Sequence, residues 1–285
     1  MKPTGLEVLL PWEPLWPLIA VFAGVLLVYL RGLWRRRRPG DLPGAAAFLT
    51  GLAGMYVVMQ TRFDYYAQYM FFVHRFQHLV LHHAGPFLVA LSMPSAVLAA
   101  GAPNALKKVC RRVAALAVFR WGYRLLQQPV IAGLLFVGLI YFWLLPAVHF
   151  DAMLSARNYW IMNLSMAADG LLFWWFMFDP RPPGATPVTR SVGLRILVLW
   201  AVMPPQIALG AWIALSDEVI FDVYAVCGRA WPLSPIVDQQ IGGLITWIPA
   251  AMMSVLATLV LLRLYFRQAR GQASGSPRTT TKVTG

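Results

Sequence analysis

Residues 66–94 read YAQYMFFVHRFQHLVLHHAGPFLVALSMP, and the rest of the chain can be placed from them. The run is apolar enough to lie in lipid as a helix, yet it carries four of the five histidines. His74, His78 and His82 recur every fourth residue and Met70 extends the series backward. A regular helix would stack these side chains as a ladder on one face and turn His83 elsewhere. Ionisable groups inside a hydrocarbon-spanning helix are costly unless paired, wetted or bound to metal, so the ladder marks a functional site.

Around it the chain is far more apolar than a soluble domain of its size: 285 residues, 59% hydrophobic, 12% charged, with a mean hydropathy of +0.61. Seven apolar segments are long enough to cross a bilayer, at about 14–34, 43–60, 66–92, 129–149, 158–178, 192–215 and 239–262. The net charge of +13 is consistent in size with anionic lipid or with nucleic acid, and its position decides between them. Nineteen of the 24 basic residues fall in alternate connections: Arg31 to Arg38, Lys107 to Arg124, Arg181 to Arg195, and the tail from Arg263. By the positive-inside rule these connections are cytoplasmic, which puts the N-terminus outside, the C-terminus inside and an odd number of spans between them. The charge is thus a topology and lipid-surface signal, and no nucleic-acid motif accompanies it.

The expected fold class is therefore all-α, a polytopic bundle of about seven transmembrane helices in the cytoplasmic membrane of a bacterium. It forms one domain over 1–270, followed by a disordered cytoplasmic tail at 271–285. Residues 104–128 alternate basic and apolar positions and read as an amphipathic helix on the inner leaflet, with membrane lipid as its partner. The arginine cluster after the first apolar run, with no small-residue cleavage site, favours a retained span over a removable signal. Cys110 and Cys227 fall on opposite sides of this topology and form no CxxC pair. His, Met, Asp and Asn remain as candidate ligands for a soft metal.

In this topology Met70 and His74 lie in the outer half of the third span, and His78 and His82 approach the midplane. An i, i+4 pair of imidazoles can hold one ion from a single helix, with further ligands from other spans. Candidates on that side are His149, Tyr159, Met162, Asn163, Met166, Asp238 and Gln239, with Asp169 deeper. Arg75 is expected to pair with Asp64, Asp169 or Asp238, and Asp238 could equally cap its own helix.

These residues carry a resemblance. HRFQHLVLHHAGPFLVALSMP from 74 resembles the HxxQHxxL...P signature of the CtaG family, membrane proteins that assist cytochrome c oxidase assembly. DQQIGGLITWIPA from 238 resembles its second signature, and FWLLPAVHF from 142 with GLLFWWFMFDPRPP from 170 falls between them in the expected order. The resemblance implies a non-enzymatic seven-span factor that helps supply copper to the binuclear centre of a haem-copper oxidase. Its implied partners are the oxidase subunit carrying that centre and a copper-donating chaperone. The positions it carries over are His74, Gln77, His78, His149, Asp238, Gln239, Gln240 and Gly243. The expected copper ligands are then His74, His78, His82, His149 and Asp238. One departure is that the family pattern has a further histidine pair before GLLFWW, where this chain has Tyr159 and Asn163. A metal-free assembly scaffold, a b-type haem protein and an intramembrane zinc hydrolase are the competing readings.

Overall fold

A computed structural model describes residues 7–226 and 228–275, so the expectations for Cys227 and for 276–285 lie outside the described residues. Among the described residues the fold is helical, with one isolated bridge between Pro11 and Thr61. In chain order the helices are α1 Trp16–Arg36, α2 Leu42–Gln60, α3 Arg62–Tyr69, α4 Phe71–Leu91 and α5 Ser95–Gly101. Then come α6 Asn104–Ala115, α7 Ala117–Leu126, α8 Pro129–Trp143, α9 Pro146–Leu154, α10 Ala156–Phe178, α11 Val192–Ala214, α12 Val223–Val226 and α13 Pro235–Gly275. Five of these are single helices long and apolar enough to cross a membrane, and two further crossings become available if the bent pairs α4–α5 and α7–α8, each with a 75° bend, count as one span apiece.

The ladder segment departs from one regular helix in two places. Met70 is extended, with φ −140° and ψ 126°, and separates α3 from α4. No glycine or proline marks this break, because its cause is tertiary: the Asp238 carboxylate accepts from the amides of Phe71 at 3.0 Å and Phe72 at 2.8 Å. Further on, Leu79–Ala84 forms a π turn in which the Gly85 amide bonds the Val80 carbonyl, i to i+5. One extra residue per turn shifts the inward face, so both His82 and His83 are buried. His83 points elsewhere than His82, toward Gln206 rather than Asp169, but within the protein.

Other boundaries also move. The fourth span stops at Trp143 rather than continuing to 149, since Pro146 holds Leu145 extended and starts a new helix. The amphipathic stretch breaks at Leu116, with ψ 133°, into α6 and α7, and neither buries a residue in the protein. The last helix runs on through Gly275, past the point where the tail was expected to begin.

The core sits between α4, α8, α10, α11 and α13, where Phe136, Phe173, Trp174 and Leu199 are buried. Outward-facing Leu27, Leu134, Leu197 and Leu256 leave an apolar exterior suited to hydrocarbon. Close approach of the helices depends on glycine: a Cβ at Gly170 would meet the His82 backbone, and one at Gly243 would meet Ala214. Gly170 thereby brings α10 against the π turn of α4, and the two elements together build the site.

Candidate functional site

The histidines do not form one ladder but two separate groups. In the first, His74 is wholly buried, with ring centroids 4.4 Å from His78 and 5.3 Å from His149. Tyr159 lies 5.9 Å and Tyr224 6.5 Å from it. Neither His74 nitrogen has a well-formed hydrogen bond; its backbone contact, with Ala67, is a weak one.

Its neighbours are engaged. His149 places Nδ1 3.0 Å from the Trp143 carbonyl and Nε2 3.0 Å from the Tyr224 hydroxyl. A carbonyl can only accept, so Nδ1 carries the proton and Nε2 presents its lone pair to Tyr224. Similarly, Arg75 Nη1 lies 3.5 Å from His78 Nδ1 and can only donate, so His78 donates from Nε2 to Asn163 Oδ1 at 3.1 Å. The buried Asn163 amide nitrogen makes no well-formed hydrogen bond, its side-chain contact with Tyr159 being weak. Met162, fully buried, adds a thioether to the same core.

The second group is a hydrogen-bonded chain. His82 Nε2 meets Asp169 Oδ2 at 3.0 Å, the two Nδ1 atoms of His82 and His83 are 3.3 Å apart, and His83 Nε2 meets Gln206 Oε1 at 3.1 Å. With Gln206 Nε2 donating to the Val202 carbonyl, its Oε1 accepts from His83 Nε2, so His83 Nδ1 is the acceptor for His82 Nδ1. His82 thus belongs to a satisfied internal pair, apart from the His74 group with which it was expected to share an ion.

Asp238 is also committed elsewhere. Besides capping α4, it forms an ion pair with Arg229. It caps a helix, as one expectation had it, but the start of the third span rather than its own. Arg75 has no carboxylate partner among the described residues; it donates from Nε to Thr246 Oγ1 at 3.0 Å, while Asp64, Asp169 and Asp238 are each engaged with other groups. The pairing expected for it does not form. Gln77, from the HxxQH motif, ties α4 to its surroundings by donating to the Val58 carbonyl at 2.7 Å and Asp64 Oδ1 at 2.6 Å. Tyr159 donates to the same Asp64 oxygen at 2.7 Å. Gln239 accepts from the amides of Ile220 and Phe221, holding the connection before α12. Tyr224 is the contributor that the sequence did not single out. It lies outside every span, and no local pattern connects it to His149.

Among the described residues, no three His, Cys, Asp or Glu side chains converge as a ready-made metal site. The fold and site define a polytopic helical membrane protein with a buried imidazole cluster near one end of its bundle. The model of the caa3-type cytochrome c oxidase assembly factor family, CtaG, matches residues 27–268, and the chain belongs to that family. Uncharacterised proteins of Mycobacterium bovis and Mycobacterium tuberculosis are each 28% identical to it over 275 residues, covering 90% of this chain and 40% of theirs. An uncharacterised Mycobacterium leprae protein is 28% identical over 256 residues, covering 84% and 37% respectively. The chain therefore spans about 40% of the length of these curated relatives. No solved structure matches it.

Proposed function

We propose that this protein acts in the assembly of a caa3-type cytochrome c oxidase as a non-catalytic membrane factor that takes copper(I) as cargo at His74, with His149 and His78 beside it. The observation that carries this reading is a fully buried imidazole with no well-formed hydrogen bond at either nitrogen, its contact with the Ala67 backbone being weak. Leaving a buried polar group unpaired costs about 1–3 kcal/mol, a cost that a ligand would relieve. Imidazole and thioether donors suit a soft monovalent ion. The distribution of basic residues supports an orientation in which this end of the bundle faces the periplasmic side of the cytoplasmic membrane, within lateral reach of the oxidase subunit that carries the haem-copper centre. Few free donors mean weak holding, which suits an ion that must be received from a copper-donating chaperone and released again.

A second reading, a scaffold that engages the oxidase without metal, is favoured by the hydrogen bonds that occupy His78, His82, His83 and His149. Metal analysis of the oxidase purified from a strain lacking this protein separates the two. The copper reading predicts a low copper-to-haem ratio with haem unchanged. A scaffold would lower the yield of assembled oxidase while leaving that ratio at its normal value.

A further inference from the structure

At the arginine-rich end, where α10 gives way to α11, three arginines and a single carboxylate line one cavity. Asp179 is consumed by Arg181: Nε reaches Oδ1 at 2.9 Å, Nη2 reaches Oδ2 at 2.6 Å, and the Arg181 amide adds 3.0 Å to Oδ1. Burial alone would raise this carboxyl, but the hydrogen bonds from Arg181 outweigh it and hold Asp179 below its ordinary value. Arg195 is 4% exposed and spends Nη1 on the carbonyls of Met177 at 3.1 Å and Asp179 at 2.8 Å, capping α10. Its Nε is buried without a partner, and so is the Nε of Arg190. Among the described residues neither arginine forms an ion pair with a carboxylate, and Asp179 acts on Arg195 only at longer range.

All four groups line one cavity of about 190 Å³, together with the apolar side chains of Val192, Leu261 and Tyr265. Three cations and one anion leave the lining two charges positive. Arg195 is buried beside a carboxylate already held by Arg181, and Arg190 is half-buried; a buried guanidinium with so little counter-charge is costly, and its planar donor set matches the oxygens of a phosphate.

We propose that this cavity is a phosphate-binding site in which Arg190 and Arg195 hold the anion and Arg181, fixed by Asp179, stands beside it. The apolar wall suits a phospholipid headgroup whose chains leave along α11 and α13; free phosphate offers the same oxygens without the chains. The site shares no residue with the His74 cluster and does not depend on the copper reading.

The full-length protein, purified in detergent and stripped of lipid, is probed separately with phosphatidylglycerol, by native mass spectrometry, and with inorganic phosphate, by thermal shift against equal ionic strength of chloride. Retention of phosphatidylglycerol that falls roughly tenfold in Arg190→Gln, but not in the exposed control Arg120→Gln, supports the site with a lipid source. A phosphate-specific stabilisation lost in Arg190→Gln supports it with a free-phosphate source. Arg190 caps no helix, so this variant remains informative even if Arg195→Gln fails to fold. Equal response of wild type and Arg190→Gln to both probes overturns the proposal.

Discussion

At the scale of single residues, the site is shaped by which polar atoms are left unsatisfied and which are paid in full by hydrogen bonds. Asp64, in the short helix between the second and third spans, shows the cost of burial most clearly. Burial raises its carboxyl to about 6 even though Tyr159, Gln77 and Gln68 all donate to it. A folded-state value above the unfolded one of about 3.9 means that the native protein holds the extra proton, so this group's contribution is complete below about pH 4 and is lost as pH rises through about 6. The shift corresponds to a loss on the order of 3 kcal/mol. Thermal unfolding of Asp64→Asn beside wild type should show the variant gaining relative stability between pH 5 and pH 7. A constant difference across that range would contradict the assignment. The sequence made His74, His78 and His149 visible as chemistry-bearing residues, because imidazoles in apolar runs stand out. It could not show that His74 alone lacks a well-formed hydrogen bond, since that depends on Asn163, Trp143 and Tyr224 arriving from other helices.

Among the elements, the third span carries most of what hydropathy could not reveal. Its apolar length and i, i+4 spacing were legible, as were the amphipathic stretch and the broad limits of the other crossings. The π turn was not, because one additional residue in a helical turn leaves composition unchanged while redirecting His82 and His83 toward Asp169 and Gln206. The break at Met70 was equally hidden, being imposed by a carboxylate 167 residues away from the amide it caps. That clamp gives a direct prediction. Asp238→Ala removes the acceptor for two amides of α4 and strands Arg229, with an expected destabilisation of about 3 kcal/mol. Adding Arg229→Leu should restore part of the loss by removing the stranded charge. Unfolding in detergent that shows no recovery in the double variant would place the ion pair outside the clamp's energetics.

For the whole molecule, the account requires the His74 end of the bundle to face away from the cytoplasm. Cys110 is exposed on α6 among lysines and arginines, which makes it a native reporter of side. In a Cys227→Ser background, a membrane-impermeant maleimide should label Cys110 in inverted vesicles and spare it in intact cells. Labelling of intact cells would invert the topology and remove the proposed copper site from the periplasmic side. The proposal that the poorly satisfied His74 imidazole meets an ion is tested most directly by replacing it with an apolar side chain of similar bulk. Copper(I) bound by the purified full-length protein should be measured by chelator competition for wild type and His74→Leu, with melting recorded on the same samples. The prediction is that His74→Leu loses the bound copper while melting at or above the wild-type temperature, because a poorly paired polar group has left the core. Unchanged copper stoichiometry in a folded His74→Leu protein would contradict it.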